Sequence, residues 1–317
     1  MRVNVLRFNE VMVVRVFVAG GSGVVGRQLV SELVARGHQV TATTTSPAKL
    51  ALLKKLGAEG VVMDGLDAAA VGEAVARAQP EVIVNEMTAL SEQHAGKPNF
   101  RKPERYFGIT GRLRSEGTDH LLAAAEATGV AHVVAQSGAL FNLTREGGPV
   151  KTERDPLEVP VGAKEISHLE EVVVKAGGAV VRYGTLYGPG ASDDQAKFVR
   201  KRLFPLVGGG AGQFSFVHVD AAATATVLAI EQKAQGVFNI VDDEPAPASE
   251  WLPYMAECMG AKPPRRLPAW LARMLAGEML VAMMTEGYGF SNSKAKAELG
   301  WELHYPSWRQ GFKHEYA

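Results

Sequence analysis

From Val13 to Ala19 the chain is an apolar, β-branched run interrupted only by Arg15, the pattern of a strand buried on both faces. A glycine-rich turn, Gly20 to Gly26, follows it. Apolar residues then recur at Leu29, Val30, Leu33 and Val34, and this spacing predicts a helix over Arg27–Arg36 that Gly37 stops. The same alternation continues. Strands are predicted at Gln39–Thr44, Gly60–Met63, Glu81–Asn85, His132–Gln136 and Ala179–Arg182. Helices are predicted between them at Ala48–Leu56, Ala68–Ala78, Thr110–Thr128 and Lys164–Lys175. Only Ser91–Tyr106, polar and holding Pro98 and Pro103, reads as a long surface loop. Strands joined through helices must run parallel, so the pattern predicts an α/β fold: a doubly wound parallel sheet with helices on both faces.

Past Tyr187 the regularity fades. A helix is expected at Ser192–Leu203, strands at Phe214–Val219 and Gly236–Val241, and a helix at Ala221–Ile230. From Pro245 the chain reads as helices with proline breaks. Residues 13–190 are therefore expected to form the main domain, with 214–241 returning to it. Residues 191–213 and 242–317 are expected to form a smaller, mostly helical substrate lobe. Residues 1–12 stand apart as an N-terminal extension whose two arginines, Arg2 and Arg7, flank no apolar core of a signal peptide.

Composition narrows the function classes. The 34 basic and 34 acidic residues balance, so no strongly basic face is expected for nucleic acid or a membrane surface. No apolar run approaches the ~20 residues of a bilayer-spanning helix. A single cysteine, Cys258, fits a reducing compartment, and a cytoplasmic location is expected. The eight histidines show no metal-ligand spacing, so no metal is expected.

The candidate chemistry begins at the first turn, where VFVAGGSGVVGRQLV sets Gly20, Gly23 and Gly26 between a strand and a helix. Gly20 allows the tight turn, Gly23 lets a pyrophosphate approach the backbone, and Gly26 lets the helix pack closely. The amides of Ser22, Gly23, Val24 and Val25, with the helix dipole, would face the phosphates. At the end of the second strand, VTATTTSPAKL holds no acid from Val40 to Leu50. An acid there would hold a ribose 2′-hydroxyl and repel a 2′-phosphate. The hydroxyls of Ser22, Thr44, Thr45 and Ser46 and the ammonium of Lys49 admit that phosphate instead. NADP is the expected cofactor, with NAD possible.

Five segments in order, AGGSGVVG, VVMDGLD, VIVNEMTAL, VVAQSGALFN and VVRYGTLYGPG, resemble the short-chain dehydrogenase/reductase superfamily in its extended and atypical, epimerase/dehydratase-like branches. FSFVHVDAAATA and SNSKAKAELGW are similar to later signatures of the same group. The resemblance implies a Rossmann-type sheet and roles at matching positions. Asp64 would accept from the adenine amino group, with Gly65 beside it. Met87 and Thr88 would lie along the ribose, and Tyr183, Gly184 and Leu186 beside the nicotinamide. Ser137, four residues before Phe141, would be the catalytic hydroxyl. The helices Thr110–Thr128 and Lys164–Lys175 would form a homodimer interface.

One departure stands out. The superfamily's acid–base pair is Tyr-x-x-x-Lys, but four residues before Lys164 stands Pro160. Lys164 could still touch the cofactor. Three readings stay open: another tyrosine (Tyr183, Tyr187 or Tyr106) supplies the proton, the chemistry needs none, or the dinucleotide is bound without turnover. The leading expectation is an NADP-dependent oxidoreductase moving hydride to or from a carbonyl, alcohol or activated double bond of a small molecule, with Ser137, Tyr183 and Lys164 as catalytic candidates. A nucleotide-sugar epimerase or dehydratase and a non-catalytic NADP(H) sensor are the alternatives.

Overall fold

The computed structural model describes residues 13–90, 101–139, 142–159 and 161–317. The extension 1–12, most of the expected 91–106 loop, Phe141 and Pro160 lie outside the described residues. Seven strands form the central sheet: β1 (Arg15–Ala19), β2 (Gln39–Thr44), β3 (Glu59–Val62), β4 (Val82–Asn85), β5 (His132–Gly138), β6 (Ala179–Tyr183) and β7 (Gly236–Ile240). Their order is β3-β2-β1-β4-β5-β6-β7, and every pair is parallel. The strand order reverses between β1 and β4, and ligands of such sheets bind in the crevice beyond that reversal.

Alternation along β1 shows why both faces are covered. Val16 and Val18 pack on one side with Leu29 and Leu33 of α1 (Val24–Ala35). Phe17 and Ala19 pack on the other with Val71 and Val75 of α3 (Ala68–Ala78). Between these helices, a 3-10 turn at Pro47–Lys49 leads into α2 (Leu50–Lys55). Helix α3 starts where expected because the Asp67 carboxylate accepts from the amides of Ala69 and Ala70.

Two sequence expectations are corrected. The loop ends earlier than Tyr106, since α4 begins at Pro103 and runs to Arg114. Proline suits a first helical position, where its missing N–H is not needed. The helix expected over Thr110–Thr128 is two helices, α4 and α5 (Glu116–Thr128), interrupted at Ser115. The Ser115 hydroxyl donates back to the Gly111 carbonyl, a bond that bends helices. Just beyond the break, a side chain on Gly117 would meet Met87 and the Gly65 carbonyl, so the second helix presses on the crevice floor.

Helix α6 (Ala163–Lys175) covers the β5–β6 end of the sheet. After β6 come α7 (Asp193–Arg200) and α8 (Val219–Glu231), then β7. Helix α8 packs beside α1 on the same face. The expected Phe214–Val219 strand divides into Gln213–Phe214 and Phe216–His218. The C-terminal elements are α9 (Ala248–Cys258), α10 (Ala269–Ala276), α11 (Glu278–Thr285), α12 (Ser293–Leu299) and α13 (Trp308–Tyr316). Phe214, Phe216, Trp251, Trp308 and Phe312 form a separate aromatic core there. His218 ties this region to the sheet: Nδ1 accepts from the Asp220 amide, and Nε2 lies 3.2 Å from Glu315. Met279 and Met284 fill the core, whereas Trp270 and Met274 are exposed.

Candidate active site

The glycine turn has the geometry its sequence implies. Gly20 sits at φ +89°, and a side chain there would come within 2.7 Å of the Glu86 carbonyl. A side chain on Gly26 would collide with the Gly20 carbonyl and the Gly21 backbone. Gly23 differs, because it is exposed and a Cβ there would meet only the Gly20 carbonyl, at 3.1 Å. The open side of the turn is thus at Gly23, the N-cap of α1. No side chain caps this helix, and no acid lies in its first turn. Its amides are left for an outside anion, and the turn fits a dinucleotide pyrophosphate. Val24 is half-buried and Val25 is buried in the core below.

Hydroxyls brace this turn. Thr43, which the sequence reading missed, accepts from the Gly20 amide at 3.0 Å. Ser22 donates to Thr44 at 3.0 Å, and Thr44 also accepts from the Ser46 amide. Thr44 is buried, so its hydroxyl serves the turn rather than the solvent face. Thr45 and Lys49 are exposed, and Ser46 is half-buried as the N-cap of the 3-10 turn. Asp64 is exposed and accepts from the Leu66 amide. Gly65 is buried against Met87, while Thr88 is exposed on the crevice floor beyond β4.

The three catalytic candidates do not converge. Successive strand residues point to opposite faces. On β6, Arg182 therefore points toward α6, and Tyr183 toward α1 and α8. The Tyr183 hydroxyl is buried, donates to Glu86 at 2.7 Å and lies 2.5 Å from the Thr226 hydroxyl. Burial and the Glu86 carboxyl raise its pKa well above the tyrosine range. The structure does not bring this hydroxyl to the crevice. Glu86 is itself buried, and burial pushes its carboxyl up to about 8.

Ser137 is also buried, and its hydroxyl donates to Glu170 of α6 at 2.9 Å. Arg182 binds the same carboxylate through Nε at 2.7 Å and Nη2 at 2.6 Å. Lys164 is exposed at the start of α6. Gly184 is buried, with no room for a side chain against the Ser215 carbonyl, and Leu186 is half-buried on the α1 and α8 side. Tyr187 is buried among aromatics of the C-terminal core, and Tyr106 donates to the Leu90 carbonyl. Sequence reading missed Glu86, Glu170 and Arg182. The signal was present in Arg182: an arginine inside a predicted buried strand requires a carboxylate partner.

A cleft of about 730 Å³ opens next to this region, lined by Leu143, Arg145, Gln213, Pro245 and Tyr288 among others. It lies between the chain leaving β5 and the C-terminal elements, not on the glycine turn. Asn142 and Tyr288 form a bridge at its edge. Among the described residues, no group of histidine, cysteine and carboxylate side chains could hold a metal ion. No described helix is long and apolar enough to cross a membrane.

Comparison with known proteins places this geometry. The model of the NAD dependent epimerase/dehydratase family matches residues 16–241. A 3-diazoavenalumate denitrifying reductase from a Streptomyces species is 42% identical over 314 residues, covering 95% of this chain and all of that protein. A 4-hydroxy-2-methyl-3-oxo-4-farnesyl-3,4-dihydroquinoline-1-oxide ketoreductase from Stigmatella aurantiaca is 28% identical, covering 78% of this chain and 74% of that one. Among solved structures, UDP-glucose 4-epimerase from Thermotoga maritima superposes with a TM-score of 0.75 at 20% identity, covering 95% and 96% of the two chains.

Proposed function

This chain belongs to the NAD-dependent epimerase/dehydratase family and is an oxidoreductase or epimerase of the short-chain type, and from that premise we propose that it is an NADPH-dependent reductase whose substrate needs no proton from a tyrosine. One observation carries the reading. Proline replaces tyrosine four residues before Lys164, and the hydroxyls of Tyr183 and Ser137 are buried and committed to Glu86 and Glu170. Epimerisation of a sugar begins by deprotonating a hydroxyl, so this site is poorly equipped for it.

The 42% relative is named for reducing and denitrifying a diazo compound. That chemistry suits this site. At a carbon bearing a diazonium group, the C–N bond breaks, N₂ leaves with its electron pair, and hydride supplies the new C–H bond. No proton is consumed. We extend this substrate class, a diazo-bearing small acid, to the present chain. The nicotinamide, when bound, supplies the hydride. The protein's part is to bind the pyrophosphate on the amides from Ser22 to Val25 and to hold the substrate in the crevice beyond β5. Lys164 stays an exposed cation at the same edge.

For the cofactor, Thr45 and Lys49 are exposed at the end of β2, and the 40–50 stretch holds no acid to repel a 2′-phosphate. NADPH is therefore preferred over NADH. The test is a fluorescence titration with both, followed by turnover of a diazonium-bearing hydroxycinnamate with 4-deuterated NADPH. The expected result is NADPH preference, release of N₂ and one deuterium on the carbon that lost nitrogen. Turnover of ketones without N₂ release would make the chain a carbonyl reductase, and failure to bind either nucleotide would end the reading.

A further inference from the structure

Arg114 ends α4, at the interruption before α5, and its guanidinium is alone. Its Nε is buried with no hydrogen-bond partner. No ion pair or hydrogen bond to its other nitrogens exists among the described residues. Arg114 as a whole is half-buried: its outer nitrogens reach solvent, while Nε is enclosed with its hydrogen-bonding capacity unmet. Neighbouring arginines show the usual solution: Arg112 pairs with Glu116, and Arg182 with Glu170.

Nearby carboxylates do not meet this need. Glu170 has one oxygen on Ser137 and Arg182 Nε, and the other on Arg182 Nη2. Glu165 lies against Gly111 on the same helix, near enough to act on Arg114 by charge but making no ion pair with it. Burial is the larger influence and lowers the Arg114 pKa. The guanidinium thus sits in a place where a further negative charge would be favourable.

That place is the crevice. Gly138 is the last residue of β5, directly after Ser137. Among the described residues, a Cβ built on Gly138 would have a single neighbour within 4 Å beyond its own chain neighbours, Arg114 Nη2 at 3.6 Å. The missing side chain and the unpaired guanidinium therefore border one space at the C-terminal end of β5. In parallel sheets of this order, ligands bind in the crevice beyond the C-terminal strand ends.

We propose that Arg114 binds an oxyanion of the substrate, a carboxylate or phenolate of an aromatic acid, and so sets the substrate class. The proposal rests on the reductase reading above. The forked donors of arginine match a carboxylate in bidentate fashion, which would fix the acceptor's orientation as well as its affinity. The guanidinium is left unpaired by the protein because the substrate completes the pair.

The test uses the full chain with NADP⁺ bound and 4-hydroxycinnamate as probe, measured by calorimetry. Its methyl ester removes the carboxylate, and 4-methoxycinnamate removes the phenol. One of the two should bind at least tenfold more weakly than the parent acid. Arg114→Gln should lose at least tenfold in affinity for the parent and should no longer distinguish the derivatives, while Arg114→Lys recovers part of the loss. NADP⁺ affinity should stay within twofold, and the Tm of Arg114→Gln should equal or exceed that of the parent chain, because an unpaired charge has been removed. Failure of the parent chain to bind the acid, equal binding by Arg114→Gln, or a fall in both Tm and NADP⁺ affinity would each overturn the assignment. Failure of the parent chain to bind NADP(H) would instead sink the reductase reading, so the two failures are told apart.

Discussion

The two halves of the crevice are built on different principles. On the β1–β2 side the shape is set by backbone and by absent side chains: Gly20 in the left-handed region, Gly26 against the Gly20 carbonyl, and small hydroxyls bracing the turn. On the β5–β6 side the shape is set by charged side chains from separate elements, with Ser137, Glu170 and Arg182 joined in one buried cluster and Arg114 left over. The first half has a shape suited to what all dinucleotides share, a pyrophosphate. The second can change its chemistry by changing side chains, and in sequence the exchange of the usual tyrosine for Pro160 comes shortly before α6, the helix that supplies Glu170.

The largest effect should come from breaking the charged half. Glu170→Gln leaves Arg182 buried without a counter-charge; the two side chains are only 12% and 7% exposed. Removing one partner of such a pair costs about 3–5 kcal/mol. Chemical denaturation should show that loss, and Ser137→Ala, which removes one neutral donor from the same carboxylate, should cost only about 1 kcal/mol. Equal losses for the two would mean that the cluster is not held by its ion pair.

The glycine half should fail differently. A methyl on Gly26 meets backbone atoms that cannot turn aside. Gly26→Ala should therefore weaken NADPH binding by about a hundredfold, or ~2.7 kcal/mol, while leaving the Glu170 cluster intact. Titration with NADPH is the check, and affinity within threefold of the parent would show that the start of α1 does not hold the pyrophosphate.

This division also explains what could be read from the sequence. All seven strands of the sheet were legible, because each is a short run rich in apolar or β-branched residues set off by glycine or proline, and buried parallel strands need little else. The glycine turn was legible because its requirement is for no side chain at all. The α4–α5 break was not, since Thr110–Thr128 keeps an amphipathic rhythm across Ser115, and the approach of Gly117 to Met87 and Gly65 just beyond the break is a tertiary contact. The fate of Tyr183 was not legible either. Its neighbour Arg182 shares the same short motif but the opposite face, and the partners Glu86 and Thr226 lie 97 and 43 residues away.

Glu86 sharpens the comparison, because it is an ionisable group inside the half otherwise built from backbone. Its carboxyl is pushed from 4.5 to about 8 by burial, against a smaller lowering by the Tyr183 hydroxyl. Between these two values the folded chain holds a proton that the unfolded chain has released. The stability from Glu86 is thus complete below about pH 4.5 and is lost as pH rises through about 8. Glu86→Gln keeps an acceptor for Tyr183 but cannot ionise. Its Tm should be close to that of the parent at pH 5 and should exceed it at pH 8.5, the gap widening steadily between. Asp242, whose carboxyl pKa burial also raises, contributes equally to both proteins, so the difference between the curves isolates Glu86. Parallel curves across that range would mean that Glu86 is already ionised beneath the turn. The negative charge would then lie on the floor that the pyrophosphate must approach, and the glycine half would owe its anion affinity entirely to the amides of α1.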